Sequence, residues 1–106
     1  MFKFSDASGW SLENELRCFV VFKMLEAESF PRGGQSELCR ELENITELSF
    51  NTINAKVGNF KSVAGVTRES NASDATKYIM KHYGKMSLQE AEALLEGYLL
   101  FQKTNA

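Results

Sequence analysis

The segment running from Leu12 to about Glu28 constrains this chain more than any other part of it. At a helical step its apolar positions Leu12, Leu16, Phe19, Val20 and Met24 form one stripe, and Cys18, Val21, Phe22 and Leu25 widen that stripe over most of the circumference. A helix apolar nearly all round cannot lie on a surface. It has to be the centre of the fold, and the rest of the chain has to supply helices or strands that surround it. Ser11 is placed as its N-cap, and Glu13 and Glu15 stand in the first turn, where a negative charge is favoured by the helix dipole. "SFPRGG" ends it, because Pro31 cannot continue a helix and the glycines that follow permit a turn.

The remaining segments have the pattern such a centre needs. A second helix is expected from about Gln35 to Glu43, with Leu38, Cys39 and Leu42 inward. "NITELS" connects it to a third, capped by Ser49, that starts at Phe50 and ends near Phe60 or Ser62. "AGVTRESNAS" reads as a loop. A fourth helix is expected over roughly Asp74 to Tyr83, with Ala75, Tyr78, Ile79 and His82 on one face and Gly84 as C-cap. The fifth opens with the capping box Ser87-x-x-Glu90 and carries Leu88, Ala91, Leu94, Leu95, Tyr98 and Leu99 on one face, to about Phe101. No run alternates as a strand would. The chain, 106 residues long, is therefore read as one all-α domain of about five helices, with a helix-turn-helix-like part over about 10–63 and C-terminal helices over about 74–101. Trp10, Leu16, Phe19, Val20, Leu38, Leu42, Ile53, Val57 and Phe60 are the expected core.

Composition narrows the function classes. The two cysteines, Cys18 and Cys39, fall on separate helices without metal-ligand spacing, which points to reduced core thiols. The N-terminal "MFKFSDASGW" is too polar for a signal peptide, and no apolar run reaches about 18 residues. The expectation is a soluble, cytoplasmic protein with no membrane association. The inventory for catalysis is poor. The single histidine, His82, sits at helical spacing from Tyr78 and Ile79, as a core or boundary residue would. No Gly-rich phosphate loop is present, since Gly33-Gly34 lacks the Lys-Ser/Thr that should follow. No cofactor is called for, and the chain is read as a non-enzyme.

The candidate for binding is the third helix, "FNTINAKVGNFKSV". Phe50, Ile53, Val57 and Phe60 share one side, while Asn51, Thr52, Asn54, Lys56 and Asn59 occupy the other, with no carboxylate among them. The chain has a net charge of −2, yet residues 51–86 hold six Lys/Arg against two Asp/Glu. A short helix, a turn and a helix with outward amides is the outline of a unit whose second helix enters the major groove of double-stranded DNA. Asparagine can pair bidentately with adenine, and lysine can meet guanine or phosphate. The expected contacts are Asn51, Asn54, Lys56, Asn59 and Lys61, with Lys77, Lys81 and Lys85 extending a phosphate-binding surface.

Trp10-Ser11-x-x-x-Glu15-Leu16, followed by Thr52 to Val63, "TINAKVGNFKSV", resembles the small N-terminal helical domain found ahead of the nuclease in some bacterial HNH endonucleases. There a Trp-led helix precedes a block of the form "SVxxKLxNFxSL". The resemblance covers about Trp10 to Val63, with a weaker echo from Asp74 to Tyr83. It implies a DNA-binding or targeting module of restriction-type or mobile-element systems, in which Lys56 and Asn59 match the block's lysine and asparagine. Two features depart from that pattern. An arginine usual just before the third helix is missing from "TELSF", where Leu48 stands nearest, and no second histidine exists to build the nuclease. The alternative is a protein that binds or inhibits another protein without touching DNA, through Glu37, Glu41, Glu43 and the exposed side of the last helix. A nuclease subunit completed by a partner is a third reading.

Overall fold

A computed structural model describes residues 10–105, so the reading of the polar stretch before Trp10 lies outside the described residues. Five α-helices follow one another: α1 (Leu12–Ala27), α2 (Gly34–Ile45), α3 (Phe50–Val63), α4 (Asp74–Tyr83) and α5 (Leu88–Thr104). Among the described residues there is no strand. Among the same residues no helix is long and apolar enough to cross a membrane.

The serine caps explain why the helices begin where they do. Ser11, Ser49, Ser73 and Ser87 each accept a hydrogen bond from the backbone N–H three residues on. At Ser87 the reciprocal bond is also made, with Glu90 accepting from the Ser87 N–H at 2.9 Å. Helix α1 ends differently. The Phe30 N–H reaches back to the Leu25 carbonyl at 2.7 Å, and both Ser29 (φ 59°) and Phe30 (φ 54°) are left-handed. That geometry is costly for side chains with a Cβ, and it directs the Phe30 ring toward Phe22, with centroids 6.0 Å apart.

As its apolar circumference demands, α1 is central and packs against all four other helices. Its Leu16, Cys18, Phe19, Phe22 and Leu25 join Cys39 and Leu42 of α2, Ile53, Val57 and Phe60 of α3, Ile79 of α4 and Ala91 of α5 in one core. The Phe60 ring stacks on Phe22 at 6.3 Å and meets Phe19 at a tilt, with centroids 5.7 Å apart. Trp10, Val20 and Leu38, expected inside, are half-buried at the margin of this core. Leu48 is buried in it and closes the connection between α2 and α3. Thr46 bends that connection by donating its hydroxyl to the Leu42 carbonyl and accepting the Leu48 N–H.

Candidate nucleic-acid interface

Helix α3 is fixed on three sides. Its first turn is tied to α2 by the Phe50 N–H, which donates to Glu43 Oε2 at 2.7 Å, while the Arg40 guanidinium lies 4.0 Å from the Phe50 ring centre. Glu43 is thus employed inside the fold, and of the expected acidic face only Glu37 and Glu41 are exposed. The apolar side of α3 is buried by Ile53, Val57 and Phe60.

The third constraint corrects the expected orientation of Lys56. It does not face solvent. Its side chain is 8% exposed, and its Nζ donates to Glu15 Oε1 at 2.7 Å, with Glu15 itself 1% exposed. Ser73 Oγ and Thr76 Oγ1 stand 3.3 Å from the same ammonium, and the Trp10 ring centre is 4.5 Å away. Thr76 Oγ1 also donates to the second oxygen of Glu15 at 3.1 Å. One buried carboxylate on α1 therefore gathers α3 and the start of α4. The physical reason is satisfaction of charge: a buried lysine beside an apolar surface needs an anion and further acceptors, and Glu15 with two hydroxyls supplies them.

The other expected contacts fall into two groups. Asn51 is exposed and Asn59 half-exposed, and with Thr52, Ala55, Lys56 and Trp10 they line a shallow depression of about 400 Å³. Asn59 accepts a hydrogen bond from Ser70 Oγ at 2.9 Å, which draws the α3–α4 loop alongside. Asn54 and Lys61 lie toward α2 instead. Gln35 joins them, donating to Asn54 Oδ1 at 2.7 Å and accepting from Lys61 Nζ at 3.0 Å. Lys61 Nζ also sits 5.6 Å from the Phe30 ring centre. Lys77, Lys81 and Lys85 are exposed. His82 is exposed rather than in the core or at its boundary, with its ring 4.2 Å from that of Tyr78.

Sequence reasoning missed the Glu15–Lys56 pair and also Lys23. The latter is 3% exposed and donates to Glu26 Oε1 at 2.9 Å and to the Gly84 carbonyl at 2.6 Å, closing the C-terminal end of α4 against α1. The available signal was positional. Glu15 and Lys23 both lie on the apolar arc of α1, and Lys56 adjoins the apolar arc of α3, so a charge of each sign stood where a core residue was due.

The thiols are shielded. Cys18 and Cys39 are free and fully buried. Burial pushes the Cys18 thiol far above its usual range, with the charge of Glu15 adding to the shift, and pushes Cys39 up to about 11. Among the described residues no group of three His, Cys, Asp or Glu side chains is placed to hold a metal ion. Compared with known proteins, the chain matches no family model, no curated protein and no solved structure.

Proposed function

We propose that this chain is a small non-catalytic module of helix-turn-helix type, acting in the cytoplasm, that binds double-stranded DNA through the exposed side of α3. The observation that carries the reading is the face formed by Asn51, Thr52, Ala55 and Asn59, which bears no carboxylate and is backed by a helix that cannot shift without breaking a buried ion pair. A rigid helix presenting amides suits base-edge recognition, because misplaced donors read nothing. The connection from Thr46 to Ser49 between α2 and α3 has the length such a unit uses.

Phosphate contacts fall to other residues than first expected. With Lys56 neutralised inside, residues 51–86 still hold five exposed or half-exposed cations, Lys61, Arg68, Lys77, Lys81 and Lys85, against Glu69 and Asp74. Ser70 is bonded to Asn59, so the loop that carries exposed Arg68 and Glu69 runs alongside α3. Asn54 and Lys61 join the interface only by leaving Gln35. A setting in restriction-type or mobile-element systems is what the resemblance of Trp10 to Val63 implies.

The test is fluorescence anisotropy with a labelled random duplex at two salt concentrations. The expected result is binding that weakens with salt, with Arg68→Glu lowering the slope by about one unit per lost phosphate contact. Asn51→Ala should cost roughly 1–3 kcal/mol of preference for a selected site and leave nonspecific affinity nearly intact. No affinity of the wild type at about 50 mM salt, where even nonspecific contacts are favoured, overturns the DNA reading. That outcome leaves the second reading, a protein that acts on a protein partner. The observation favouring it is an apolar groove of about 460 Å³ between α4 and α5, with Leu100 and Phe101 each 63% exposed at the end of α5.

A further inference from the structure

Helices α4 and α5 each pack on α1 and hardly touch one another. The space between them is the apolar groove, floored by Leu12 and Leu16 of α1 and walled by Tyr78 and Ile79 on α4 and Leu94 and Tyr98 on α5. Phe101 stands at its end, and Leu100 beside it is equally exposed. The α5 backbone is open on this side, since a Cβ on Gly97 would meet nothing within 4 Å. A groove that needs an apolar occupant therefore adjoins an apolar anchor that needs a groove.

The charges carried by the two helices that wall the groove indicate which occupant fits. On α4 and just beyond it the exposed charged residues are Lys77, Lys81 and Lys85 against Asp74, a balance of +2. On α5 they are Glu90, Glu92 and Glu96 against Lys103, a balance of −2. The surface is self-complementary: α5 carries both the apolar anchor and the charge opposite to that of α4. We infer that this face pairs with a second copy of the same chain, α5 of each protomer entering the groove of the other, with the α5 glutamates facing the α4 lysines across the interface. An isologous pairing of this kind covers the groove and the anchor twice over. It leaves α3 outside the contact, withdraws Lys77, Lys81 and Lys85 from phosphate contact so that Lys61 and Arg68 remain for it, and does not rest on the DNA reading.

Sedimentation velocity of the full chain, over about a hundredfold range of concentration, tests it. The expected result is a mass rising from 11.9 kDa toward twice that value, at lower concentration in dilute salt than in about 0.5 M salt. Leu100→Glu, at a position exposed enough to leave the fold intact by circular dichroism, should hold the chain monomeric throughout. Lys81→Glu alone should weaken dimerisation about tenfold or more, and Lys81→Glu combined with Glu96→Lys should recover most of that loss. A wild type that stays monomeric at the highest concentration overturns the proposal and assigns the groove to a partner of another sequence. Dimerisation unaffected by Leu100→Glu overturns it equally, since the contact then lies elsewhere.

Discussion

Helices α3 and α5 both lie along α1, yet they are held in opposite ways. The inward residues Ile53, Val57 and Phe60 of α3 are each 0% exposed, and the helix is further locked by an ion pair and by hydrogen bonds to two neighbours. Helix α5 is longer but buries only Ala91 completely, and leaves Leu94, Leu95, Tyr98 and Leu99 half-exposed and Leu100 and Phe101 mostly in solvent. The difference separates two kinds of binding surface. A helix fixed from all sides can present a polar face whose donors stay in register. A helix attached along one side keeps apolar area that further burial would remove from water.

The largest effect expected from breaking this contrast is at the ion pair. Lys56→Glu places two carboxylates together in the interior and should cost roughly 4 kcal/mol or more in chemical denaturation. A loss below about 1 kcal/mol would return Lys56 to the surface, where charge pairs are worth that little. Next in size is a matched pair of truncations. Ile53→Ala should cost about 3 kcal/mol, and Leu94→Ala on half-exposed α5 about 1 kcal/mol. Equal costs would erase the distinction between the two helices.

The interior that fixes α3 also holds the thiols, which gives a pH signature. The Cys39 thiol rises on folding from 9.0 to about 11, and Cys18 moves in the same direction. A raised folded pKa means the contribution to stability is intact below pH 9 and is lost as pH climbs toward 11, because only the unfolded chain then releases the proton. Urea midpoints should fall across that window, by up to about 1.4 kcal/mol per pH unit for each thiol. A flat profile would place the thiols in contact with water. The smallest effect concerns the tight end of α1. Ser29→Gly relieves one left-handed residue and should raise stability by about 0.5–1 kcal/mol.

Most of the helical frame was legible because its signals are local. Ser11, Ser49 and Ser87 cap where a serine before an apolar period predicts, and the circumference of α1 required a central position that the fold gives it. The second helix runs one or two residues beyond its expected ends because Gly34 and Ile45 carry no cap chemistry of their own. Lys56 was misplaced for a nonlocal reason. On α3 alone it adjoins the polar side, and its inward course depends on Glu15, distant in sequence by 41 residues, and on Ser73 and Thr76 beyond the loop. Gln35 drew Asn54 and Lys61 to the flank in the same way. The amide face survived as a surface feature because Asn51, Thr52 and Asn59 lie opposite the core whatever the partners are.

A double-mutant cycle on Glu15 and Lys56 tests the central claim most directly, that α3 is held by a buried charge pair and that Lys56 belongs to the interior. Glu15→Gln, Lys56→Met and the double variant are near in shape to the originals, so urea denaturation isolates the coupling between the two charges. The account predicts each single change to be strongly destabilising and the double variant to recover much of the loss, with a coupling of about 2 kcal/mol or more. A coupling below about 0.5 kcal/mol, the range of exposed pairs, would contradict it and put the lysine back on the face offered to DNA.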